Sequence, residues 1–376
     1  MSIPTHEIVF WMGIVSPHMA GLAKALAFQG NKVIYVAAQS ISVDRTSQGW
    51  VQPDTQGLRL ELVNNTDDAI FLAKSFSSEA IHLAGGLRGN GYISQVIKAL
   101  SQQHARWGVI METIDERFAL APIKRLVYSR KLCNISTRPD FVLAIGSAMP
   151  KWVADRGYPE DMIFSFAYFL SPSLIQSISV NINPIVFQIG FIGRLISLKR
   201  LDILIDALSG FGSKRYELNI VGAGPLQKKI MRMAEKKLGN DRIRMYGQLS
   251  MADVRCLVGS FDCLVLPSDA DGWGAVVSEA LMAGTPAICS DACGSAVAVG
   301  ASGFGGIFPR GNLLALRELL SKQIDAGRIS TEKRRKISDW AECLGSEAGA
   351  RYLSNVINSI YNGTSRPRTP WHNDLD

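Results

Sequence analysis

The sequence predicts an α/β protein made of two Rossmann-like, doubly wound domains facing a central cleft. Three observations predict it. At 376 residues the chain is too long for one ordinary core and suits two domains of about 150–200 residues each. Short apolar runs alternate with helical patterns twice over, as crossover-connected parallel sheets require. Between the two series lies LSPSLIQSISVNINP, rich in Ser and Asn with a Pro near each end, which reads as a linker.

In the first series the strands are expected at Glu7–Trp11, Lys32–Ala37, Leu58–Val63, Ala80–Leu83, Gly108–Met111 and Phe141–Ile145. Helical patterns fall between them at His18–Phe28, Tyr92–Leu100 and Leu120–Leu132. In the second series, strands are expected at Ile185–Phe191, Tyr216–Val221, Ile243–Tyr246, Cys263–Leu266 and Pro286–Cys289. Helices are expected at Arg200–Ser209, Leu226–Lys237 and Met251–Leu257, with one starting near Ala275 and a last one around Ala348–Ile360. The domains are therefore placed at residues 1–170 and 185–345, joined by 171–184, with 346–376 a helix and tail that can return to the N-terminal domain. Ligands of such sheets bind at the carboxyl ends of the strands, and the cleft between domains is the default pocket.

Composition narrows the function. Hydrophobic residues make up 47% and charged residues 19% of the chain, the range of a folded globular enzyme. No apolar run reaches the roughly 18–20 residues of a membrane span. The first residues, MSIPTHEIVFWMGIV, have no basic start and no clean cleavage site, so they read as a strand of a cytoplasmic protein. The six cysteines form no C-x-x-C pair and are expected as reduced thiols. The net charge of +7 is uneven: residues 1–184 hold 16 basic against 14 acidic side chains, and residues 185–376 hold 24 against 19. Such a surplus suits a nucleotide diphosphate or an anionic membrane surface, and equally nucleic acid, on charge alone.

The stretch SDADGWGAVVSEALMAGTP poses the chemical question. Asp269-Ala270-Asp271 could hold a divalent metal against a diphosphate. Alternatively Asp271 and Glu279 are a pair of acids, one in the loop and one in the helix after it. Gly272 and Gly274 let the backbone approach a ligand closely, and the helix start points free N–H groups at whatever sits before it. A cation there would face the positive end of the helix dipole. Glu279 has apolar neighbours in Val276, Val277 and Leu281, unlike a surface glutamate.

The blocks FIGRLISLKRLDILIDAL, YELNIVGAGPLQKKI, RIRMYGQLS and CLVLPSDADGWGAVVSEALMAGTPAICSD, in this order over residues 190–291, resemble the donor half of family-4 glycosyltransferases, which have the GT-B fold. The resemblance implies transfer of a sugar from a UDP- or GDP-sugar to a saccharide or lipid-linked acceptor, with retained anomeric configuration and without a bound metal or other cofactor; no nucleic acid is implied. It makes Asp271 and Glu279 the two acids of the family's E-x7-E signature, with Asp where Glu is usual at the first. Glu279 then accepts from both ribose hydroxyls. Arg194 and Lys199, in the loop that begins with Gly193, match the basic pair on the donor diphosphate, where fixed cations stabilise the leaving charge. Arg200 follows Lys199 where the family usually has Gly. Backbone at Tyr246–Gly247 is expected at the base edge, and Trp273 among the donor-site residues.

In the N-terminal half the resemblance is thinner. Gly13 matches the first of two glycines in the family's first loop, and Ile14 replaces the second. Candidates for the acceptor side are His18 at a helix start, His82 at a strand end, Arg88 in the loop after it, and Glu112. His18 and His82 equally suit packing, and Ala84 stands where a second histidine is common. From Arg117 to Pro139 there are six basic residues and no acid, which suits either an anionic lipid surface or a solvated helix. Two rival functions stay open: a nucleotide-sugar epimerase of the same fold, and a nucleotide-sugar-binding protein without catalysis.

Overall fold

The computed structural model describes residues 5–42, 45–46, 49–87, 91–114, 121–134, 136–171, 185–212 and 215–372. The chain divides into two compact units. Unit 1 comprises Met1–Ser47, Val51–Ser171 and Leu344–Asp376; unit 2 comprises Gln48–Trp50 and Pro172–Cys343. The stretch expected as a linker falls, from residue 172 to 184, outside the described residues.

Unit 1 is built on seven parallel strands: β1 (Glu7–Ile14), β2 (Lys32–Gln39), β3 (Arg59–Leu62), β4 (Ile81–Gly85), β5 (Arg106–Glu112), β6 (Phe141–Ile145) and β7 (Ile163–Phe166). They lie in the order β3-β2-β1-β4-β5-β6-β7. The central strand β1, EIVFWMGI, is apolar almost throughout because both faces of a parallel sheet are covered. Its Val9 and Trp11 share a core with Ile34, Val36, Val109 and Val142 from the neighbouring strands. The crossover helices are α1 (Pro17–Phe28), α2 (Thr66–Ser75), α3 (Ile93–Gln102), α4 (Ala121–Cys133) and α5 (Met149–Ala154). Pro17 opens α1, where its missing N–H costs nothing.

Unit 2 repeats the plan with β8 (Phe187–Ile192), β9 (Tyr216–Val221), β10 (Ile243–Gly247), β11 (Cys263–Leu266), β12 (Ala287–Ser290) and β13 (Gly305–Phe308), in the parallel order β10-β9-β8-β11-β12-β13. Its helices are α6 (Leu201–Leu208), α7 (Gln227–Leu238), α8 (Met251–Val258), α9 (Ala275–Met282), α10 (Ala296–Ser302), α11 (Leu313–Asp325) and α12 (Thr331–Ala341). Ile189, Phe191, Leu204, Leu208, Leu218 and Ile220 anchor its core.

The last helix, α13 (Ser346–Tyr361), is part of unit 1. Leu170 N–H donates to Leu344 O (3.0 Å) and Ser346 N–H to Leu170 O (2.8 Å), which seats the helix beside the end of the N-terminal segment. Tyr352 then donates its hydroxyl to Ser165 O (3.0 Å), and Gly349 leaves room for the Phe169 ring, which a Cβ would meet at 2.2 Å. Among the described residues no helix is long and apolar enough to cross a membrane.

The sequence reading missed β7 and β13, both four residues long, and the helices α2, α5, α10, α11 and α12. In β13 two glycines stand where an apolar run would mark a strand. The first, Gly305, has φ +116° and would place a Cβ 1.8 Å from Ala287 O, so close pairing with β12 requires glycine. The Gly222-Ala223-Gly224 turn after β9 has a similar cause. Added Cβ atoms would lie 2.1 Å from Gly193 O at Gly222 and 2.6 Å from Leu195 O at Gly224. These glycines let two loops of the carboxyl edge pack backbone to backbone. Gly222→Ala should therefore lower the stability of unit 2 by about 2–4 kcal/mol in urea denaturation. Gly303→Ala is the control, since Gly303 shares the left-handed φ (+68°) but has nothing within 4 Å; it should cost only about 1 kcal/mol. Equal losses would show that contact with the β8 loop is irrelevant.

Candidate functional site

At the carboxyl edge of the unit 2 sheet, the loops are tied into one surface by backbone hydrogen bonds. Gly222 N–H donates to Gly247 O (2.7 Å), Gly193 N–H to Val221 O (3.0 Å) and Leu195 N–H to Ala223 O (2.9 Å). Beyond β8 the edge continues through Asp269 N–H to Leu198 O (2.8 Å), Asp271 N–H to Ala292 O (3.2 Å) and Gly294 N–H to Asp271 O (3.0 Å). Gly193, Gly247, Asp271 and the loop carrying Arg194 and Lys199 therefore belong to a single edge. Strand order reverses at β8–β11, so the loops after those two strands flank the crevice where ligands of open α/β sheets bind.

That crevice is bridged by charge. Lys199, at the end of a 3-10 turn (Ser197–Lys199), pairs through its Nζ with Asp271 Oδ2. Arg200 Nη1 holds both carboxylate oxygens of Asp269, at 3.0 and 3.2 Å. The two acids of the D-x-D reading are thus each engaged by a different cation from the loop after β8. Arg194 is exposed in the same loop.

Gly274 has φ +85° and caps α9, with Leu266 Cδ2 2.7 Å from where a Cβ would stand; a side chain would be strained there on both counts. Trp273 is buried and donates its indole N–H to Ser278 Oγ (2.9 Å), while its carbonyl accepts from Ser295 N–H (2.7 Å). Tyr246 turns its hydroxyl to Asn219 Oδ1 (3.1 Å), into the sheet, leaving backbone at the rim.

Glu279 lies in the second turn of α9 with its side chain only 10% exposed. Its ionic partner is Arg255 of α8, whose Nε is 3.8 Å from Oε1. Burial pushes the carboxyl up to about 7, against the weaker pull of Arg255. Sequence reasoning missed Arg255. It is 24 residues before Glu279 on another helix, and no local pattern marks it.

In unit 1 the candidates are dispersed. His82 is enclosed between Trp11, which donates its indole N–H to His82 Nδ1 (3.1 Å), and Phe76. Burial lowers its pKa to about 4, so at neutral pH it is uncharged, with its hydrogen on Nε2. His18 is also buried and stacks on Tyr168, with centroids 4.9 Å apart. Glu112 is exposed at the carboxyl end of β5. Gly13 lies near the end of β1, and the Ile14 carbonyl after it accepts from Tyr35 Oη (3.1 Å). Arg88 lies outside the described residues.

Comparison with known proteins follows this geometry. Residues 176–342 match the family model of glycosyl transferases group 1. Granule-bound starch synthase 1 of Ipomoea batatas is 29% identical over 127 residues, 33% of this chain and 21% of that protein. The chain's matches span between 21% and 60% of the length of its curated relatives. Among solved structures, the lipopolysaccharide outer core galactosyltransferase WaaB superposes with a TM-score of 0.68 at 16% identity, covering 94% of this chain and 99% of WaaB. HepE of Anabaena, solved with UDP, gives 0.69 at 14% identity, covering 94% and 100%. These likenesses establish a GT-B fold. The family match itself lies within unit 2, from residue 176 to 342.

Proposed function

We propose that the protein is a retaining, metal-independent glycosyltransferase. It moves a sugar from a UDP- or GDP-linked donor to a saccharide or lipid-linked acceptor in polysaccharide or glycolipid synthesis. The observation that carries this reading is the unit 2 edge, where Lys199 from the β8 loop meets Asp271 at the switch point and a largely buried Glu279 lies one turn into the following helix. Arg194 and Lys199 take the donor diphosphate. When the bond between the sugar's anomeric carbon and the diphosphate oxygen breaks, its electron pair stays on that oxygen, and fixed cations stabilise it without solvent reorganisation. Asp271 and the main chain of Gly272 and Gly274 face the transferred sugar, and Glu279 accepts from the ribose hydroxyls. Support for the donor class comes from the UDP in the HepE structure, and for the acceptor class from the lipopolysaccharide substrate in the name of WaaB.

Lys199 on Asp271 and Arg200 on Asp269 supply the positive charge that a metal would bring to a D-x-D pair. Transfer should therefore persist in excess EDTA, and activity lost to the chelator and restored by Mn²⁺ would overturn this part.

On α4, Ile123 and Leu126 are exposed together with Arg125 and Arg130. Exposed apolar and basic side chains on this helix suit an anionic lipid surface, as a lipid-linked acceptor on the cytoplasmic side of a membrane would require. Co-sedimentation should then be strong with vesicles containing anionic lipid and weak with neutral ones, and replacing Arg125 and Arg130 by Glu should remove it. Equal binding to both vesicle types would count against this surface.

Glu279 and Asp271 should differ in kind when altered. Glu279→Gln removes charge-assisted bonds to ribose and should weaken nucleotide diphosphate binding about ten- to a hundredfold by calorimetry. Asp271→Asn should bind nucleotide almost normally and turn over slowly. Because the free carboxyl of Glu279 is raised to about 7 and ribose donors favour its ionised form, wild-type affinity should rise with pH up to that value. The nucleotide's own phosphate titrates nearby, so the signature is the difference between wild type and Glu279→Gln, which should vanish at low pH. A pH-independent difference would remove Glu279 from the ribose.

A further inference from the structure

Two consecutive residues of the β8 loop hold the two acids of the β11 loop, and the two pairs are built differently. Lys199 meets Asp271 with a single flexible ammonium. Arg200 lays a planar guanidinium on Asp269 through both oxygens, and the same group reaches Asp202 in the first turn of α6 from Nε (3.2 and 3.3 Å) and Nη2 (3.2 Å). Arg200 does this from a left-handed backbone, φ +49° and ψ +38°. Only His104 among the other described non-glycine residues has a positive φ. Such a conformation persists in a side-chain-bearing residue when its surroundings over-determine it, and the contacts to Asp202 and Asp269 are what do so here.

We propose that Arg200 is a positioning residue that anchors the β11–α9 loop through Asp269 while a donor diphosphate draws Lys199 away from Asp271. The inference rests on the donor-site reading above. A diphosphate carries more negative charge than a carboxylate and competes for the Lys199 ammonium, so the Lys199–Asp271 pair is exchangeable. Once it opens, the loop keeps, among the described residues, the Asp269 N–H on Leu198 O and the Arg200 Nη1 contact to the Asp269 carboxylate as ties to the β8 side. Arg310 adds a longer contact, Nη1 to Asp269 O at 3.4 Å. One guanidinium held by two carboxylates, Asp269 through Nη1 and Asp202 through Nε and Nη2, makes the Arg200 pair the one that stays. Asp271 is then left uncompensated, at a fixed position beside the transferred sugar.

The test separates positioning from stability because glycine suits the left-handed backbone. Arg200→Gly, Asp269→Asn and the double variant of the full chain are compared by thermal melting, by calorimetry with UDP and GDP, and by hydrolysis of UDP-glucose and GDP-mannose. Arg200→Gly should melt at or above the wild-type temperature, bind nucleotide within about threefold of wild type and turn over about tenfold more slowly. Asp269→Asn should reproduce the slow turnover, and the double variant should be no slower than either single one. Wild-type turnover in Arg200→Gly, a loss that tracks a lowered melting temperature, or additive losses in the double variant would each overturn the proposal. Lys199→Ala and Glu279→Gln that bind both nucleotides like wild type would instead overturn the donor-site reading itself.

Discussion

The Lys199–Asp271 ion pair spans the one place in unit 2 where the sheet's connectivity leaves a gap. In the order β10-β9-β8-β11-β12-β13 the connections from β8 and β11 run outward in opposite directions. The Asp269 N–H to Leu198 O bond joins the two loops, and cations on one loop paired with acids on the other reinforce it. Both side chains are about one-fifth exposed or less, where attraction is stronger than in open water and still accessible to a competing anion. Gly222 and Gly224 pack backbone to backbone on Gly193 and Leu195 of the loop that carries Lys199.

The two units have nearly the same topology and use it differently. In unit 1 the corresponding strands, β1 and β4, are closed by aromatic packing. Trp11 lies against His82 and Tyr92, and Tyr92 donates its hydroxyl to Met12 O (2.7 Å). No charge pair crosses there among the described residues. Function therefore resides in the side chains grafted on each edge rather than in the fold, as is usual of doubly wound sheets.

Two buried acids in unit 2 show how burial separates structure from chemistry. Asp262 is fully enclosed at the start of β11, and its oxygens take two backbone amides, from Gln188 (2.8 Å) and Ile329 (3.1 Å), and two guanidinium groups, Arg328 and Arg334. A carboxylate so completely bonded is a structural fixture. Glu279 has one distant guanidinium and a raised pKa. That contrast is why Glu279, and not Asp262, is the acid proposed to bind a ligand.

What the sequence determined by itself was everything carried by neighbours along the chain. Short apolar runs marked the central strands, and the alternation with helices implied parallel sheets. The spacing of Asp271 and Glu279 across the glycines located the helix start and the loop before it. Short strands such as β7 and the glycine-bearing β13 escaped because their pairing, not their composition, makes them strands. The tertiary structure alone decided which charges meet. Arg200 and Asp269 are 69 residues apart, and Arg255 and Glu279 lie on separate helices. It also decided that His82 is walled in by Trp11 and Phe76, and that Arg200 stands in a left-handed backbone where a glycine would ordinarily be needed. Spacing constrains only residues within a turn or two of one another, whereas ion pairing and desolvation depend on distances that exist only once the sheet has brought remote loops to a common edge.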